Sequence, residues 1–136
     1  METNRVVIDT DILIDLLRNA AKVVDSISEM ERKGYLLATT IINAFELFHG
    51  AYKSKRREKN LASAKTLLKR LIVLKMGLES AQNAGRIYAE LETAGQPIGL
   101  RDAMIGAIAL TKGCSLATRN VDHFRKIDGL NVIYIP

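Results

Sequence analysis

Five short apolar runs, each separated from the next by residues with helical spacing, restrict what this chain can fold into more than any other feature. They are Val6 to Ile8, Tyr35 to Ala38, Ile72 to Leu74, Ser115 to Ala117 and Val132 to Ile135. None alternates apolar with polar residues as a strand with one wet face would, so each is expected to be covered on both sides. Helical periods are predicted over Ile12 to Arg18, Ala21 to Lys33, Ile41 to Ser54, Glu58 to Arg70, Leu78 to Ala94 and Asp102 to Lys112, with a short turn at Val121 to Phe124. Doubly covered strands joined by helices make a parallel sheet with crossover connections, the α/β class.

Several boundaries carry chemical marks. Gly34, Gly95 and Gly113 follow predicted helices and suit helix stops. Thr39-Thr40 offers an N-cap for the helix that carries Glu46. Gln96-Pro97-Ile98-Gly99 is the clearest loop and delivers the chain to Asp102. The run Ala103 to Leu110 is apolar all round and rich in small residues, so that helix is expected to be buried and closely packed. Residues 1–136 are long enough to bury one core and are read as a single domain. No apolar stretch approaches the roughly 20 residues that span a bilayer, and no secretory signal is evident. The lone Cys114 suits a reducing compartment, and the cytoplasm is the expected location.

The first run ends directly in Asp9-Thr10-Asp11. A carboxylate at the edge of an apolar core is costly unless donors or a cation meet it. In parallel α/β sheets ligands bind outside the carboxyl ends of the strands, where the strand order reverses. Asp9 ends the first strand, Glu46 lies one to two turns into the helix after the second, and Asp102 begins the buried helix before the fourth. Asn120 and Asp122 follow that fourth strand, at the same edge. Such an oxygen-rich set suits Mg²⁺ or Mn²⁺, whereas the single Cys and the separated His49 and His123 do not suggest zinc. These ions activate water for attack on a phosphodiester, so hydrolysis of nucleic acid is the expected chemistry.

Each acid also has a plainer reading. Asp9 and Asp11 suit helix caps, and for Asp11 a cap is the better reading; Asp15 and Asp25 suit solvated helix positions. Glu46 suits the surface of an amphipathic helix, Asp102 has Arg101 as a ready local partner, and Asp122 suits the cap of its own turn. His49 and His123 lack ligand spacing and are expected to be exposed or satisfied in the core. Tyr134 is expected to pack within its strand, and Tyr52 to lie where a substrate could touch it. Of the net charge of +5, residues 51–75 hold nine Lys or Arg against Glu58 alone, +8 in all, leaving −3 elsewhere. A basic stripe beside acidic clusters suits an enzyme acting on a polyanion, although a solvated helix face explains the charge alone.

Taken together, four blocks resemble the PIN-domain ribonucleases, and among them the VapC-type toxins of toxin–antitoxin pairs. The blocks are Val7-Ile8-Asp9-Thr10-Asp11-Ile12-Leu13-Ile14, Thr40 to Gly50, Arg101 to Ala107 and Ala117-Thr118-Arg119-Asn120. The resemblance spans essentially the whole chain. It implies a three-layer fold with a parallel sheet of about five strands between helices, and endonucleolytic cutting of RNA with Mg²⁺ or Mn²⁺ held by acids. It also implies a homodimer and inhibition by a VapB-type antitoxin. By position, Asp9, Glu46 and Asp102 match the family's three core acids. Asn120 stands where many relatives carry a fourth acid, and Asp122, two residues on, is the alternative. Two other functions remain open: a non-catalytic RNA-binding or assembly module, and a phosphatase of the haloacid-dehalogenase type suggested locally by Asp9-Thr10-Asp11.

Overall fold

The computed structural model describes residues 4–136. Its chain order is β1 (Arg5–Ile8), α1 (Thr10–Leu17), α2 (Ala21–Arg32), β2 (Leu36–Thr40), α3 (Ile41–Lys53), α4 (Arg57–Lys69), β3 (Ile72–Leu74), α5 (Leu78–Thr93), α6 (Leu100–Thr111), β4 (Ser115–Thr118), α7 (Val121–Phe124) and β5 (Val132–Tyr134). All five strands pair in parallel, in the order β3-β2-β1-β4-β5. After β1 the chain builds outward on one side through β2 and β3, then returns to build β4 and β5 on the other. The reversal therefore falls between β1 and β4, beside Asp9.

The missing alternation has a direct explanation. Along β1, Val6 and Ile8 enter a core with α1, α2 and α4, while Val7 enters a second core with α5 and α6. Both pleat faces are thus apolar, and Val6, Val7 and Ile8 are completely buried. Full burial of such a side chain contributes about 1.5–3 kcal/mol. Helices α1, α2 and α4 on one face and α5, α6 and α7 on the other give the expected three layers.

Most predicted elements form within a residue or two of their expected limits, which is the usual uncertainty of helix ends. Two differences matter for function. The second strand runs on to Thr40 because Thr39 and Thr40 pair with Val73 and Leu74 of β3 before Thr40 caps α3. The first helix begins at Thr10 rather than Ile12, which makes Asp9 its N-cap residue. Gly34 and Gly113 take the left-handed φ of +92° and +68° that a helix stop requires. Helix α6 is closely packed as expected: a Cβ added at Gly106 would stand 2.4 Å from Ile127 Cδ1. Tyr134, expected to pack inside its strand, is exposed, because β5 is an edge strand. No helix among the described residues is long and apolar enough to cross a membrane.

Candidate active site at the strand switch point

Asp9 sits where β1 meets α1, only 8% exposed. Its Oδ1 accepts from the Thr10 N–H at 2.9 Å and from Asn43 Nδ2 at 3.3 Å. Its Oδ2 accepts from the Thr118 hydroxyl at 2.6 Å, across the β1–β4 reversal. Burial pushes the Asp9 carboxyl up to about 6 from an ordinary value of 3.8; the Thr118 hydrogen bond opposes this, nearby Asp11 adds to it, the Thr10 N–H opposes it, and Asp102 adds a little more. Among the described residues no Lys, Arg or His pairs with Asp9 or Asp11. Asp11, expected to cap the helix, lies instead inside its first turn, because α1 begins at Thr10 and Asp9 is the N-cap; its carboxylate accepts from the Ile12 N–H at 2.8 Å.

Glu46 reaches the same edge from α3, and its side chain is only 16% exposed. A relay of hydrogen bonds places it. The Thr40 N–H and hydroxyl donate to Asn43 Oδ1 at 3.2 and 2.7 Å, Asn43 Nδ2 donates to Thr10 Oγ1 at 2.9 Å, and that hydroxyl donates to Glu46 Oε1 at 2.8 Å. The other oxygen, Oε2, takes Arg101 at 2.5 Å. Arg101 therefore does not pair locally with Asp102, as its sequence position suggested. Asp102 Oδ2 instead lies 3.0 Å from His123 Nδ1. His123 is thus neither free nor a core residue: it is half-exposed at the rim and tied to an acid of this edge.

Asn120 and Asp122 lie just beyond β4, and both are exposed. The Asn120 N–H donates to the Thr118 hydroxyl at 2.9 Å, which places its backbone one step from Asp9. Its side chain does not cap α7, and Asp122 occupies the first turn of that helix. Asp15, expected to be solvated, pairs with Arg119 because α1 runs past the end of β4. His49 is exposed on α3 and stacks on Phe45 at 5.9 Å, with 18° between the rings.

The chain therefore brings Asp11 and Asp102 close enough to act on Asp9, with Glu46 linked to Asp9 through Thr10 and Asn43. Among the described residues, no three His, Cys, Asp or Glu side chains as they stand enclose a metal position. Glu46 is turned to Arg101, whose guanidinium offsets its charge, and Asp102 to the ring of His123. Sequence reading gave no role to Thr10, Asn43 or Thr118, and expected His123 only to be exposed or satisfied in the core. One of them carried a signal: Asn43 stands three residues after Thr40, the spacing of a capping box. Thr118 and His123 had none, because their partners are 109 and 21 residues away.

Comparison with known proteins agrees with this fold. A PIN domain family model matches residues 6–130. The tRNA(fMet)-specific endonuclease VapC of Shigella flexneri is 33% identical over 124 residues, covering 90% of this chain and 92% of that protein. Ribonuclease VapC2 of Haemophilus influenzae (strain ATCC 51907 / DSM 11121 / KW20 / Rd) is 30% identical over 123 residues, with the same coverage. Among solved structures, DNA-bound VapBC from Salmonella typhimurium superposes with a TM-score of 0.87 at 28% identity over the full length of both chains. VapBC2 from Rickettsia felis, bound to a promoter DNA fragment, also gives 0.87, at 25% identity, over 96% of this chain and 98% of that one. These matches leave the phosphatase alternative without support, and Asp11, spent on the Ile12 N–H, adds none. With the carboxylates gathered at a strand reversal and the whole chain aligned to these relatives, the protein belongs to the PIN-domain family and, within it, to the VapC proteins.

Proposed function

We propose that the protein is a divalent-metal-dependent endoribonuclease acting in the cytoplasm, the toxin of a VapBC-type pair restrained by a VapB-type antitoxin, with residues 1–136 forming one domain. The observation that carries this reading is the buried Asp9 carboxylate at the strand reversal, flanked by Asp11 and Asp102 and, among the described residues, paired with no cation. A buried negative site of oxygen donors fits Mg²⁺ or Mn²⁺, which would relieve the repulsion that burial leaves uncompensated. Asp9, Asp102 and Glu46 are the residues assigned to hold the ion, with Asn120 or Asp122 completing the rim. When bound, the ion lowers the pKa of an attacking water and offsets charge on the phosphodiester oxygens.

The chain's own groups then have defined tasks. Thr118, the Thr10 N–H and Asn43 hold Asp9 in one orientation. Thr10 and Arg101 hold Glu46, and Arg101, more than half exposed, is placed to meet a phosphate at the mouth. His123 orients Asp102. Exposed Ile41 and Phe45 on one face of α3 support the homodimer reading, since two such residues in contact exclude water that each now meets alone.

The test is cleavage of purified cellular RNA with Mg²⁺ or Mn²⁺, by the protein and by Asp102→Asn. Metal-stimulated cutting that falls at least about tenfold in the variant is expected, since even residues that only orient metal ligands carry about 10–100-fold. Equal cutting by the variant would overturn the site assignment. Tight RNA binding with no metal-stimulated cleavage would point instead to an assembly module.

A further inference from the structure

Helices α1, α3 and α4 line a cleft of about 390 Å³ that Glu46 of the candidate site also borders. That volume lies in the range of small-molecule sites, about 300–1,000 Å³. Ile14, Leu47, Ala51 and Ala64 give it an apolar floor, while Arg18 and Lys59 stand among its lining residues. Neither of these two pairs with a carboxylate among the described residues. Beyond Lys59 the surface continues into a shallow concavity formed by the residues from Ser54 to Lys59, where Lys55, Arg56 and Arg57 outnumber Glu58. The positive track therefore begins at the candidate active site and runs away from it along the start of α4.

Gly50 supplies a second observation. It lies inside α3, where glycine is the poorest residue after proline. Its φ is not in the left-handed region, and a Cβ built there meets nothing within 4 Å. Neither backbone nor packing requires glycine at this position. Its consequence is the open space of the cleft, which it lines.

We propose that this cleft is a nucleotide subsite: it seats one nucleotide of single-stranded RNA next to the cut, with the base against Ile14 and Leu47 and the flanking phosphates on Arg18 and Lys59. The claim rests on the ribonuclease reading and adds where the substrate strand runs. A strand whose phosphodiester lies at Asp9 must pass over a neighbouring surface, and this is the neighbouring surface with an apolar recess and unpaired cations. Bases offer flat apolar faces to such a recess, and phosphates supply the charge its rim lacks.

The experiment measures binding rather than cleavage, so that it stands apart from the ribonuclease reading. A fluorescent single-stranded RNA is titrated against the full chain carrying Asp9→Asn, at several salt concentrations. Adding Gly50→Leu, a good helix former that fills the cleft, is expected to weaken binding about tenfold while thermal melting is kept. Adding Lys59→Gln is expected to lower the slope of log affinity against log salt by about 0.7, the value of one single-strand phosphate contact. Lys22→Gln, an equal charge change on exposed α2, should leave the slope unchanged. Should Gly50→Leu fail to fold, the two lysine variants decide. Unchanged RNA affinity in Gly50→Leu and an equal slope in both lysine variants would overturn the subsite. RNA affinity retained while a VapB-type peptide is no longer bound would also overturn it, and would assign the cleft to the antitoxin.

Discussion

Asp9→Asn is expected to abolish metal-dependent cleavage and, in the same protein, to raise the stability of the metal-free fold. Loss of activity should be at least about a hundredfold, because groups that merely orient metal ligands already carry about 10–100-fold and Asp9 is assigned to hold the ion itself. The stabilisation follows from the carboxyl's elevated pKa of about 6 against 3.8. The folded state holds the Asp9 proton more tightly than the unfolded chain does. Its contribution to stability is therefore fully present below about 3.8 and lost as pH rises through about 6. Above that range the buried charge destabilises the metal-free protein by about 3 kcal/mol. Asparagine removes the charge and keeps the contacts: its oxygen can accept from Thr10 and Asn43, and its amide can donate to the Thr118 oxygen.

Chemical denaturation of both proteins in chelator, from pH 4 to pH 8, provides the measurement. The variant should be the more stable at pH 8, by about 1–3 kcal/mol, and the difference should shrink towards zero near pH 4. A difference that does not change with pH would mean that burial of charge is not what sets Asp9 apart. Adding Mg²⁺ or Mn²⁺ should raise the melting temperature of the unmodified protein and leave the variant almost unmoved, since only a ligand bound to the folded state stabilises it. Metal affinity should weaken as pH falls below about 6, where Asp9 takes up its proton.

Replacing Asn43 with alanine is expected to be the most damaging change to the relay, with a loss of about 2–4 kcal/mol. Asn43 is completely buried and uses both ends of its amide. Its oxygen serves the Thr40 N–H and hydroxyl, and its nitrogen serves Asp9 and Thr10. Alanine removes these contacts, leaves buried donors at Thr40 without a partner and opens a cavity, and each effect alone is worth about 1–3 kcal/mol. The damage should extend to Glu46, because Thr10 would lose the amide that fixes its hydroxyl. Asn43→Asp separates the two halves of the network. It keeps the oxygen that accepts from Thr40 but loses the donor and sets a second carboxylate beside Asp9, so stability should fall more at pH 8 than at pH 5. Urea unfolding at those two pH values checks both variants, and a loss below about 0.5 kcal/mol for Asn43→Ala would show that the relay does not hold the site together.

Much of this molecule is written locally. Period, run length and helix stops are properties of neighbouring residues, so the five strands, the seven helices and the parallel class could be read from Val6-Val7-Ile8 and its counterparts before any contact was known. The edge at which Asp9, Glu46 and Asp102 gather was legible for the same reason: each lies at a fixed distance along the chain from the end of a strand or the start of a helix. What each acid touches was not legible. Arg101 beside Asp102 in sequence suggested a local pair, yet a residue at the start of a helix projects away from its neighbour, and Arg101 meets Glu46 from α3 instead. His123, without ligand spacing, reaches Asp102 because α7 folds back against α6. Asp15 finds Arg119 only because the sheet order sets β4 beside β1.

Side-chain period and residues a few places apart are enough to dictate the strands, the helices that separate them and the edge where negative charge collects. How that charge is held depends on the folded arrangement: Thr118 and Asn43 on Asp9, Thr10 and Arg101 on Glu46, His123 on Asp102. That arrangement also sets the degree of burial that pushes Asp9 up to about 6. Hydrogen bonds and desolvation depend on distances through space, and those are fixed when β1 and β4 come together at the reversal of the sheet.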